Sequence, residues 1–145
     1  MAEALSLMMS WRAVSLYNHR KTTYRNLEVV LRKALKLHPA NDHALMAMDD
    51  AVAGLEMMEL DRAIFRNKMH KAYTIASKSE HDQVRARFFA SLGELVTSVD
   101  EADITPQERL LILEDLRGWC VRMDQTHPLV GRIDTLLRRT ELQRS

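Results

Sequence analysis

The residues of this chain with chemistry to offer are six histidines, one cysteine and three pairs of neighbouring acids. A metal centre would need His19, His38, His43, His70, His81 or His127 to stand in register, because zinc takes four ligands at about 2.0–2.3 Å, usually from tight spacings. No two of these histidines are three or four residues apart, and Cys120 has no second thiol. They read as surface or capping side chains, and neither a metal nor another cofactor is expected. General acid–base work would need two carboxyls aimed at one point. The pairs Asp49–Asp50, Asp100–Glu101 and Glu114–Asp115 are adjacent in sequence, and adjacent side chains on a helix point about 100° apart. A Gly-rich phosphate loop, a Gly-x-Ser-x-Gly elbow and a His-Glu-x-x-His helix are all missing from the sequence. The expectation is a protein that is not an enzyme.

What remains is recognition, and the charges favour it. Arg12, Arg20, Lys21, Arg25, Arg32, Lys33 and Lys36 stand against a single acid, Glu28, between residues 12 and 36. Asp42, Asp49, Asp50, Glu56, Glu59 and Asp61 follow with no lysine or arginine among them, and the sign flips again at Arg62, Glu94 and Arg117. A net charge of +1 therefore hides strongly charged segments. On a helical wheel the acidic segment is apolar on two faces. Ala44, Leu45, Met48, Ala51, Val52, Leu55 and Met58 make one broad arc, which must face a core. Opposite lie Met46, Ala53, Met57 and Leu60, interspersed with Asp42, Asp49, Asp50, Glu56 and Asp61. Methionine is flexible and polarizable and suits surfaces that fit varied partners. An acidic, methionine-bearing face is the kind that takes up a basic amphipathic helix. Residues Met46, Asp49, Asp50, Ala53, Glu56, Met57 and Leu60 are thus the candidate docking site. The partner would be another protein or a second copy of this chain. The competing expectation is that one of the chain's own basic helices covers that face.

A second surface competes for function. Trp11, Tyr17 and Tyr24 are interleaved with Arg12, Arg20, Lys21 and Arg25, as aromatic and basic residues are in proteins that bind single-stranded nucleic acid. Arg138, Arg139 and Arg144 add a basic tail. The near-neutral total and the acidic segment weigh against that reading.

The elements that must position these residues are helices. Four glycines and three prolines leave few turn signals, and alternating β-branched runs are missing. The fold class expected is all-α, a single domain over residues 1–145 built of six or seven antiparallel-leaning helices. The first should run from Ala2 to Asn18 with Leu5, Met8, Met9, Trp11, Val14 and Leu16 as its apolar positions. Thr22 or Thr23 can cap the second, which carries Leu27, Val30, Leu31, Ala34 and Leu37 and stops near His38, before Pro39. Asn41 or Asp42 caps the third. A break is expected near Leu60–Asp61, where the charge flips, and the piece beyond it should present Phe65, Met69, Ala72 and Ala76 on one stripe. Ser79 and Asp82 have the spacing of a capping box. Thr105-Pro106-Gln107-Glu108 is the strongest start signal: threonine at the N-cap, proline at the first helical position and glutamate at the third. Pro128 opens the last helix. Gly54, Gly93, Gly118 and Gly131 all fall inside helices, and a close approach of a neighbouring helix is the expected reason, above all at Gly54.

Leu31 to Leu45 carries one family resemblance. The run Leu-Arg-Lys-Ala-Leu-Lys-Leu-His-Pro-Ala-Asn-Asp-His-Ala-Leu resembles the end of one tetratricopeptide repeat and the start of the next. Trp11, Ala34 and Pro39 are the clearest matches, and the similarity spans residues 8–45. Asp61 and Lys68 stand where a following repeat would carry small residues. The resemblance implies a helical hairpin with a concave peptide-binding face, as in adaptors and chaperones built that way.

Composition closes the list. A lone cysteine points to a reducing compartment, and no stretch approaches the ~18 apolar residues of a membrane span. The expectation is a cytoplasmic protein, not membrane-bound, acting as an adaptor, chaperone or regulatory subunit, alone or as a dimer.

Overall fold

Local signals set most of the helix ends in the computed structural model, which describes residues 1–144. The helices are α1 (Ala2–Asn18), α2 (Tyr24–Leu37), α3 (Asp42–Phe65), α4 (Met69–Lys78), α5 (Asp82–Glu101), α6 (Pro106–Asp124) and α7 (Pro128–Arg144). No strand occurs among the described residues, so the all-α expectation holds. Thr23 caps α2 by accepting from the Asn26 amide at 3.3 Å. Pro39 stops that helix two residues after Leu37, with His38 extended. At α6 the capping box is complete. Thr105 Oγ1 accepts from the Glu108 amide at 3.1 Å, and Glu108 accepts from the Thr105 amide at 3.3 Å.

Three local readings need correction. The helix does not break at Leu60–Asp61; α3 runs on to Phe65. A change of charge sign does not interrupt backbone hydrogen bonding. The real stop is Asn67, which takes a left-handed φ of 56°. Lys68 N–H then reaches the Ala63 carbonyl (2.8 Å) and Asn67 N–H that of Ile64 (3.0 Å), a Schellman closure with asparagine in place of the usual glycine. The same closure ends α1, where Arg20 holds φ 57° and Lys21 N–H reaches the Leu16 carbonyl at 2.8 Å. The capping box expected at Ser79 is not formed. His81 is the N-cap of α5, and Ser79 Oγ instead accepts from the His81 amide two residues on. Phe65, at the end of α3, is 91% exposed and shares no buried stripe with Met69, Ala72 and Ala76, which are all buried.

The chain divides into two compact units, Met1–Leu55 and the remainder from Glu56. In the first, α1 and α2 form a hairpin, and its core is Ala13, Leu27, Leu31 and Ala34 with Ala44 and Ala51 from α3. In the second, α5 packs against α4, α6 and α7, and α6 pairs with α7. Phe88, Leu92, Leu113 and Ile133 are completely buried there, together with Leu60 from α3. Cys120 lies in the same core, and burial pushes its thiol pKa up to about 11, so at neutral pH it is an inert apolar side chain. The two ends of α3 serve different cores: Ala44 and Ala51 the first, Leu60 and Ala63 the second. Leu45 and Met58, expected in the inner arc, are exposed.

None of the four helical glycines marks a close approach. A Cβ built on Gly54, Gly93, Gly118 or Gly131 would meet nothing within 4 Å. Glycine in a helix interior costs about 1 kcal/mol relative to alanine. Gly118→Ala and Gly131→Ala, both at exposed positions, should therefore each stabilise the protein by about 0.5–1 kcal/mol. The check is the urea midpoint at unchanged slope; a loss of stability would mean that something packs on those positions.

Candidate functional site

The first unit is organised by a buried polar bracket. Ser6 and Ser10 on α1 are both completely buried. Ser6 Oγ donates to the Ala34 carbonyl in the last turn of α2 at 2.5 Å. Asn41 donates through Nδ2 to Ser6 Oγ (2.9 Å) and Ser10 Oγ (3.3 Å). Its Oδ1 accepts from the Ala44 amide at 3.1 Å, capping α3. One asparagine therefore ties three helices. Ser10 Oγ lies 3.0 Å from the Leu7 carbonyl and 3.0 Å from His43 Nδ1. With the serine proton given to Leu7, every group is satisfied when His43 Nδ1 carries its proton and donates to Ser10. A Ser–His contact can signal nucleophilic catalysis. Here Ser10 is sealed from solvent and engaged on all sides, which makes the pair part of the scaffold.

The bracket decides which way α1 faces. With Ser6, Ser10 and Ala13 turned inward, the large apolar side chains of the same helix turn outward. Leu5 is 50% exposed, Met8 69% and Trp11 60%. Three of the apolar positions of α1 therefore face away from the core, while Met9 and Val14 pack against it. Serine and alanine pack closely and have a polar partner waiting, and that combination displaces the bulkier residues. The signal that could have shown this is the spacing of Ser6, Ser10, Ala13 and Tyr17, which is helical.

Beside this ridge lies a groove with a volume of about 360 Å³, lined among others by Val14, Tyr17, Leu27, His43, Met46 and Asp50. A shallower extension runs past Trp11, Arg12 and His19, with the Trp11 and His43 rings in edge contact at 5.9 Å between centroids.

The expected docking residues do not share one environment. Met46 is 68% exposed on the groove, and Asp49 and Asp50 are exposed. Ala53 and Leu60 are completely buried, and Met57 packs against the core of the second unit. Glu56 is half-buried, with Oε1 3.1 Å from His81 Nδ1. Asp61, which carries the same charge, is held by Arg87 through two contacts of 3.0 Å. Glu56 and Asp61 are therefore engaged within the chain, and Ala53 and Leu60 offer no surface. What stays open is Met46 with Asp50, both exposed on the groove. The basic residues proposed for nucleic acid are all exposed: Arg12 on α1, Arg20 and Lys21 in the α1–α2 turn, and Arg25 in the first turn of α2. No ion pair holds any of these four among the described residues. Among the described residues no group of three histidine, cysteine or carboxylate side chains is placed to hold a metal, and no helix is long and apolar enough to cross a membrane.

No protein-family model matches the chain, and neither a curated protein nor a solved structure matches it. The hairpin of α1 and α2 is present where the tetratricopeptide resemblance places it, and α3 then continues as one helix of 24 residues.

Asparagine and aspartate cap helices about equally well, so replacing Asn41 separates capping from bracketing. Asn41→Asp keeps the cap, loses both Nδ2 donors and places a charge in a buried site. It should cost about 2–3 kcal/mol in chemical unfolding. A near-neutral Asn41→Asp would mean that Asn41 is only a cap.

Proposed function

We propose that the protein is a non-enzymatic protein-interaction module, an adaptor, chaperone or regulatory subunit, that takes up a basic amphipathic helix on the groove beside Met46 and Asp50 of α3. The reading rests on one observation: Met46 stands largely exposed beside Asp50, over an apolar groove that the neighbouring helices leave unfilled. Flexible sulfur-bearing side chains adapt to the shape of an incoming helix. Burial of its apolar residues would supply most of the affinity, and the carboxylates would set its register and speed its arrival.

One observation supports a second reading, a nucleic-acid-binding regulator: Arg20, Lys21 and Arg25 flank one turn, exposed and without acids between them. On that reading affinity for single-stranded DNA would fall with salt at a log–log slope of about −0.7 per phosphate neutralised and would be lost in Arg20→Ala/Lys21→Ala.

A synthetic leucine/lysine amphipathic peptide tests the docking reading, with its leucine/glutamate counterpart as control. The basic peptide should bind with a Kd on the order of micromolar, and Asp50→Lys should weaken it about tenfold, or ~1.4 kcal/mol. Equal binding of the two peptides, or indifference to Asp50→Lys, would count against it.

A further inference from the structure

The ridge on α1 has the chemistry that the groove calls for. Leu5, Met8 and Trp11 stand outward at helical spacing, each at least half exposed. Arg12 is exposed on the same helix and has no ion pair among the described residues. The groove offers the complement: Tyr17, Leu27 and Met46 for apolar contact and Asp50 for the base. Asp50 too is exposed and free of any ion pair among the described residues. Tryptophan and methionine are enriched in protein interfaces, and a contiguous exposed apolar face marks an interaction surface.

We propose that the occupant of the groove is a second copy of this chain, whose Leu5–Met8–Trp11 ridge seats there with Arg12 against Asp50. This rests on the docking reading above and names its partner. Two facts favour a second copy over a foreign helix. Ridge and groove sit on one unit and adjoin, since Trp11 and Arg12 line the groove's extension. A twofold contact therefore uses both surfaces of both copies at once, because an isologous interface repeats each contact reciprocally. A foreign helix in the groove would leave the ridge open to water. Charge agrees: the ridge carries a base and the groove an acid, so the contact attracts in both of its symmetry-related halves.

Light scattering of the full chain from micromolar to hundreds of micromolar tests the proposal. The wild type should pass from monomer to twice the monomer mass. Met8→Asp changes an outward side chain and should weaken dimerisation by tenfold or more, as about tenfold is usual for losing an interface anchor. Asp50→Arg should do the same, and Arg12→Asp combined with Asp50→Arg should restore the dimer. A chain that stays monomeric throughout overturns the proposal. So does a dimer that survives Met8→Asp, or a charge exchange that fails to restore it. Co-sedimentation with phosphatidylcholine/phosphatidylglycerol vesicles that is lost in Met8→Asp would also overturn it, since the ridge would then be a lipid-facing surface. The two readings fail separately. In the monomeric Met8→Asp protein the leucine/lysine peptide should still enter the groove. If it does so while the wild type never dimerises, only the self-association falls; if it does not, the docking reading falls as well.

Discussion

A single buried asparagine governs the first unit. Asn41 caps α3, and its amide reaches back to two serines on α1 while one of those serines holds a carbonyl of α2. Buried polar groups of this kind cost free energy unless every one is paired, and here every buried side-chain nitrogen and oxygen among the described residues has a partner. The network fixes α1 in one rotation about its own axis. That rotation turns small side chains inward and large apolar ones outward. The exposed ridge is thus a consequence of how the unit is held together.

The second unit is built differently. Its core is a conventional apolar one around Phe88, Leu92, Leu113 and Ile133. Its surface charges find partners at short range: Arg87 with Asp61, Arg117 with Asp134 at 2.5 Å, and Glu56 with His81. The two arginine pairs are exposed, and pairs of that sort contribute little to stability, about 0–1 kcal/mol each. Of the three contacts, two occupy Glu56 and Asp61, carboxylates at the end of the acidic segment. In the first unit Arg12, Arg20, Lys21 and Arg25 stand exposed, and Arg12 lines the extension of the groove.

Much of the fold was legible because its signals are local. Thr23, Pro39, Thr105–Glu108 and Pro128 each act within one turn of backbone, and the helices begin or end where they stand. What was illegible depends on distant partners. Nothing near Ser6 or Ser10 in the sequence announces Asn41, more than thirty residues away, so the apolar positions of α1 alone do not reveal which face turns inward. The two apolar faces of α3 were legible, but a wheel cannot say which neighbours meet them. Hence Met46 remains open while Ala53 and Leu60 are sealed. The stop at Asn67 was missed because asparagine in a left-handed C-terminal closure leaves a weaker mark than glycine.

The orientation of α1 is the claim from which the ridge, the groove and the proposed partner all descend, and Trp11 reports on it. With Trp119 replaced by phenylalanine, acrylamide quenching of the remaining tryptophan can be followed at low concentration, where association is negligible. Quenching in the native protein nearly as efficient as in the urea-unfolded chain is the result this account predicts. A shielded Trp11 that becomes accessible only on unfolding would mean that α1 presents its other face to solvent, and would contradict it.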